Sequence, residues 1–225
     1  DFCLLQRRVH AARHHPAGAR GDDGERRAVH VDGRAASGPA VLSEHLGLAW
    51  LTPQMDRLFV EGASARRRFL DRLVYGFDPG HARRVASFER AMRERNRLLE
   101  AGGEPRWLTA QEETMAEQAV AVAAARRDGA VRLQDALDRA PGPFPRALIA
   151  IDGLIEGWLD EQPALAAEDR YRALLAGQRA LDAAAGLTLQ GPHKSDLLVR
   201  HAAKDQPAAH CSTGEQKALL IAMVL

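Results

Sequence analysis

Ser212, Thr213 and Gly214, followed by Glu215, Gln216 and Lys217, stand directly before the apolar run 218–225. Ser and Thr are both good N-caps, and each has a Glu or Gln three residues on, the capping-box spacing. The pattern predicts a helix start. Its first turn offers unpaired N–H groups, the positive end of the helix dipole, a hydroxyl and a glycine that lets backbone approach a ligand. The chemistry of such a start is anion binding, and phosphate suits it. A capped buried helix without a ligand satisfies the same residues, so both readings stand on this segment alone.

Other residue types capable of chemistry are scattered more thinly. Arg66, Arg67 and Arg68 carry charge that DNA phosphates would attract, but Arg67 and Asp71 are four apart, the spacing of an ion pair on a solvated helical face. The most basic stretch holds Arg83, Arg84, Arg90, Arg93, Arg95 and Arg97 against Glu89 and Glu94, the better phosphate track of the two. His193 and Lys194 sit in a Gly-Pro turn, where a polar pair is usually exposed. His10, His14 and His15 have no Cys or carboxylate at ligand spacing, and no metal site is expected. Cys211 reads as a small buried residue beside the cap, and Trp107 and Trp158 as core or inter-helix anchors.

Composition limits the classes available. The 225 residues carry 31 Lys and Arg against 30 Asp and Glu, so attraction to nucleic acid has to come from local clusters. Two distant cysteines, with no secretory segment and no apolar run long enough to span a bilayer, fit a reducing, cytoplasmic setting. Asp1 and the uncapped Leu225 read as the ends of part of a longer chain.

The elements that must position these residues fall into four stretches. Residues 1–27 are poorly specified; 28–60 read as sheet, with a hairpin turning at Asp32-Gly33, a short helix at 43–46 and a buried strand at 48–51 closed by Pro53. Residues 61–185 read as a mostly helical inserted lobe. It starts with Ser64 as cap, breaks at Asp78-Pro79-Gly80 and stops at 101–103. A second helix is predicted over 109–127, a short one over 130–140, and another marked by Leu148, Ile151, Ile155 and Leu159, with Leu174, Leu175 and Leu181 extending the pattern. Residues 186–225 return to sheet, with strands at 187–189 and 196–200 around Gly191-Pro192-His193-Lys194, and then the capped helix.

Three segments in this order resemble the RecF family of DNA replication and repair proteins. They are Trp50-Leu51-Thr52-Pro53-Gln54-Met55-Asp56-Arg57-Leu58-Phe59 running on through Arg66-Arg67-Arg68-Phe69-Leu70-Asp71, then Gly191-Pro192-His193-Lys194-Ser195-Asp196-Leu197, then Cys211-Ser212-Thr213-Gly214-Glu215-Gln216-Lys217. The resemblance covers 27–225. It implies a mixed α/β fold, part of an ABC-type, SMC-like ATPase head with a mostly helical inserted lobe. It also implies ATP with Mg²⁺, a homodimer closed around nucleotide, single- and double-stranded DNA held at gaps, recombination mediator partners, and a part in the SOS response. Ser212, Thr213, Gly214, Glu215, Gln216 and Lys217 match the ABC signature, which faces ATP bound by the partner copy. Gln54 falls in the Q-loop region. Arg83, Arg84, Arg90, Arg93, Arg97, His193 and Lys194 become the candidate DNA contacts. A helical interaction protein, or another SMC- or ABC-like head, is the alternative.

The sequence also departs from the family pattern. It contains no Gly-x-x-x-x-Gly-Lys-[Ser/Thr] and no apolar run closing in Asp-Glu to hold Mg²⁺ and an attacking water, so no catalytic residue is assigned within it. Purified 1–225 is therefore expected to release no phosphate from ATP above a protein-free control, and measurable turnover would overturn this reading.

Overall fold

The computed structural model describes residues 9–13, 27–31, 34–35, 53–139 and 142–224, and the chain divides into two units, 1–48 and 49–225. In the first, β1 (Val9–Arg13), β2 (Arg27–Val31) and β3 (Arg34–Ala35) form an antiparallel sheet in that order. Val31 pairs with Arg34 across two residues, so the hairpin at Asp32-Gly33 is present. The strand β1 was not legible in a stretch without apolar periodicity. The helix expected at 43–46 and the strand at 48–51 lie outside the described residues.

The second unit holds the helices α1 (Ala63–Tyr75), α2 (His81–Glu100) and α3 (Pro105–Arg139), then β4 (Ala147–Asp152). It continues through α4 (Leu154–Glu161), α5 (Ala164–Gly177), α6 (Arg179–Ala185), β5 (Asp196–His201), β6 (Gln206–Pro207) and α7 (Thr213–Ala222). Its sheet is antiparallel, in the order β4-β5-β6. The result is mixed α/β and mostly helical, as the sequence implied. No helix among the described residues is long and apolar enough to cross a membrane.

Several elements differ from the sequence reading for identifiable reasons. The cap of α1 is Gly62, not Ser64, and it makes no side-chain cap bond. The helix expected over 109–127 continues unbroken to Arg139, about 52 Å at 1.5 Å per residue, and absorbs the segment read as a separate helix. Gly129 is tolerated inside it because α1 packs there: an added Cβ would lie 2.7 Å from Val74. The spacing predicts Leu148 and Ile151 on one helix with Ile155 and Leu159. The first two instead lie on β4, inside the span 61–185, because an apolar run of five ending near Gly153 pairs with β5 in register Leu148↔Arg200. Residues 187–189 are irregular rather than strand. Gly186 (φ 68°) closes α6, and Thr188 turns its side chain into the core.

Two apolar clusters result. One gathers Phe69, Leu70, Val74, Leu197, Val199, Leu219 and Leu220 between α1, α7 and the inner face of the sheet. The other gathers Phe88, Met115, Ala119, Ile155, Trp158, Tyr171 and Leu175 among the helices. The long α3 contributes Leu137 to the first and Met115 to the second.

A charged hub fixes the helical cluster. Arg95 is fully buried and donates from Nε to Glu112 (3.0 Å), from Nη1 to Asp182 (2.7 Å) and Thr188 Oγ1 (3.1 Å), and from Nη2 to Leu175 O (2.8 Å). Removing one partner of a buried pair strands the other charge. Asp182→Ala is expected to lower unfolding free energy by about 3 kcal/mol, at the lower end of the range because Glu112 stays. Urea denaturation followed by circular dichroism measures it.

Candidate functional site

The helix start predicted at 212–217 is formed. Ser212 caps α7: its Oγ accepts from the Glu215 N–H (3.4 Å), and its own N–H donates to Glu215 Oε2 (3.1 Å), a complete capping box. The six residues 212–217 divide by environment. Ser212, Thr213 and Gly214 are exposed, and the Thr213 and Gly214 N–H groups have no acceptor among the described residues. Glu215 is engaged by the cap and by Lys204 Nζ at 2.5 Å. Gln216 is buried and donates to Ala209 O (3.3 Å) and Cys211 O (2.9 Å), which anchors the helix start to the preceding loop. Lys217 lies 3.3 Å from Asp56. What the surface offers an anion is therefore one hydroxyl pair and two orphan N–H groups at a dipole's positive end. Cys211 is buried beside the cap, its Sγ near Gln206 and Pro207 O. Gln54 falls in the 3-10 turn Pro53–Arg57, its side chain outside the described residues.

The turn 191–195 is held by Tyr171 and Arg126. Gly191 has φ 139°, and an added Cβ there would lie 2.3 Å from the Tyr171 hydroxyl, which donates to Gln190 O at 2.8 Å. Arg126 donates from Nη1 to Pro192 O (2.6 Å) and Ser195 Oγ (3.0 Å), and from Nε and Nη2 to Asp71 (2.8 and 3.0 Å). His81 Nε2 sits 2.7 Å from Asp71 Oδ1. Burial pushes the Asp71 carboxyl up, but the hydrogen bonds from His81 and Arg126 outweigh it and hold the group below its ordinary range.

His193 donates from Nε2 to Thr188 O (2.9 Å) and stacks at a tilt on Phe88, and burial lowers its pKa. Lys194 is exposed. Sequence reasoning missed Asp71, His81 and Arg126 as a group. Their signal was a charge at core spacing, Arg126 four residues after Val122.

The arginines of α1 are not the solvated face expected. Arg66 forms a two-pronged pair with Asp196 (2.7 and 2.7 Å), and Arg67 donates to Ser195 O (2.6 Å), while Asp71 is taken by Arg126. These bonds fasten α1 to β5. On α2, Arg83, Arg90, Arg93 and Arg97 are exposed. Arg84 pairs with Asp78, Arg93 with Glu89 and Arg97 with Glu94, while Arg83 and Arg90 make no ion pair among the described residues. Trp158 is buried with Arg170 over its ring, whereas Trp107, expected as an anchor, is 54% exposed under Arg106. Among the described residues no group of three or more His, Cys, Asp or Glu side chains is placed to hold a metal.

No family model matches the chain. Curated relatives do. A DNA replication and repair protein RecF from Mesorhizobium japonicum is 51% identical over 208 residues, 91% of this chain and 54% of the relative. One from Rhizobium rhizogenes is 49% identical over 207 residues, with 91% and 55% covered. The chain thus spans about half the length of the curated relatives it matches. A solved structure described as the recombination mediator protein RecF bound to ATPrS, in the RecFOR pathway, superposes with TM-score 0.74 over 88% of this chain and 55% of that one. At 17% identity it shows the shared fold.

The cap has a pH signature. Glu215 is held down to about 2, first by Lys204 and then by the Ser212 N–H. A lowered carboxyl contributes stability that is complete above its unfolded value near 4.5 and is lost as pH falls through about 2. Thermal midpoints of the parent chain and Glu215→Gln are expected to differ most at neutral pH and to converge between those limits. A gap independent of pH would show that the carboxylate is not held by the cap.

Proposed function

The chain belongs to the RecF family, and from that membership we propose that it serves an ATP-dependent DNA-binding protein of replication and recombinational repair, working with recombination mediators in the cytoplasm. The residues 28–60 and 186–225 contribute to an ATPase head, and 61–185 to its inserted lobe. Ser212, Thr213 and Gly214 meet the γ-phosphate of an ATP held by a second copy, Gln216 ties down the helix start that presents them, and Glu215 and Lys217 flank it. ATP, with the Mg²⁺ that accompanies it, would supply the switch between separate and paired copies.

One observation carries this reading: of the signature residues, those with free donors are exposed at the start of α7, and those that would obstruct an anion are tied back. The fit to phosphate is chemical as well as positional. Two orphan N–H groups, two hydroxyls and a glycine need no rearrangement to bind oxygen.

DNA contact is assigned to Arg83, Arg84, Arg90, Arg93 and Arg97 on α2 and to Lys194 of the turn 191–195. Arg93 and Arg97 are paired, but their side chains are 65% and 66% exposed. Exposed pairs of this kind are worth about 0–1 kcal/mol, so a phosphate can displace the carboxylate.

Ser212→Arg, made in a whole family member carrying this chain, is expected to abolish ATP-dependent self-association while leaving ATP binding within a few-fold. Sedimentation velocity with and without ATP reads the first and nucleotide titration the second. Unchanged association would sink the signature assignment.

A further inference from the structure

A cleft of about 170 Å³ lies between α1, α2, α3 and the turn 191–195, lined by Ser64, Arg67, Arg68, Glu89, Arg126 and His193 among others. On the same measure a single water needs roughly 10–15 Å³, so a polyatomic anion has room.

The charges around it do not cancel. Asp71, on its wall, gives its oxygens to Arg126 and His81, and Glu89 lies 3.7 Å from Arg93. Arg126 is spent on Asp71, Pro192 O and Ser195 Oγ. Arg67, by contrast, is half-buried and donates only to a neutral acceptor, Ser195 O. Burial first, and then the neighbouring Arg126, disfavour its charge; the more distant pull of Asp196 and Asp71 does not restore it. Arg68 makes no ion pair among the described residues. Two guanidinium groups to which no carboxylate is hydrogen-bonded thus share one concavity, Arg68 exposed and Arg67 partly out of water, where a charge is costly unless something matches it.

We propose that this cleft is a phosphate site, in which Arg67 and Arg68 hold a phosphate group carried by a nucleotide or a polynucleotide. The guanidinium fork offers paired N–H donors to adjacent phosphate oxygens, and Ser64 on the same helical face adds a hydroxyl. Arg67 is pre-positioned by its bond to Ser195 O, so little side-chain freedom is lost on binding. The site deepens the DNA reading above, and rests on it only for the source of the phosphate.

Inorganic phosphate titrated into chain 1–225 by calorimetry, with chloride at matched ionic strength as the blank, tests the site. Binding is expected in the parent chain and should weaken about tenfold or more in R68Q, the loss of one charge-assisted contact. Without phosphate the thermal midpoint of R68Q should stay that of the parent, because Arg68 holds no other group. R67Q also loses the Ser195 bond, so it is read only after R68Q. No binding by the parent, or equal binding by parent and R68Q, overturns the site. Displacement of phosphate by short duplex DNA or by ATP identifies the source. If binding depends on Arg68 but neither displaces it, the site stands and its link to DNA falls.

Discussion

The buried pairing of Arg126 with Asp71 is the constraint on which the second unit depends. Both side chains are nearly inaccessible, so each must be matched or pay several kcal/mol for lost hydration. One guanidinium settles this for four segments at once. Nε and Nη2 join α3 to α1, Nη1 joins both to the turn 191–195, and His81 brings the start of α2 onto the same carboxylate. Sliding α3 by one residue would leave Asp71 and Arg126 charged and unpartnered together. Apolar packing alone tolerates such slips, whereas a buried ion pair with two further acceptors does not.

Arg95 repeats the device in the helical cluster, and the two hubs divide the work. Arg126 sets the register between helices and the sheet side, where α1 lies on β5 through Arg66 and Asp196. Arg95 sets the register among α2, α3, α5 and α6, with Arg179 adding a second cation to Glu112. Both hubs act on α3, which passes through both apolar clusters. A single continuous helix therefore joins the turn carrying His193 to the packing of the lobe.

How much of this was legible depended on the range of the interaction. The α7 cap, the break at Asp78-Pro79-Gly80 and the hairpin at Asp32-Gly33 are set by neighbours within four residues, and the sequence shows them. The strand β4 was hidden because Leu148, Ile151, Ile155 and Leu159 have helical spacing. Only the distant partner β5 decides that the first two alternate across a sheet. Charge was misread for the same reason. The spacing of Arg67 and Asp71 suggests a local pair, but the partners of Arg66 and Arg67, Asp196 and Ser195, lie some 130 positions away in the chain. The three family segments are thus three parts of one bonded assembly: Arg66 and Arg67 from the first meet Ser195 and Asp196 of the second.

The third segment joins the first by a weaker bond, and the difference in strength has a consequence. Lys217 reaches Asp56 in the turn Pro53–Arg57 that carries Gln54, and Lys204 reaches Glu215. Exposed pairs such as these contribute about 0–1 kcal/mol and do not fix α7. Its placement comes from Leu219, Leu220 and Met223, buried in the sheet-side cluster, and from the Gln216 amide bonded to Ala209 O and Cys211 O. The donors at Thr213 and Gly214 are accordingly rigid, while the nearby lysines can change partners at little cost. A phosphate arriving at such a start meets preformed N–H groups and two cations able to turn toward it, so binding there need not distort the helix to gain charge.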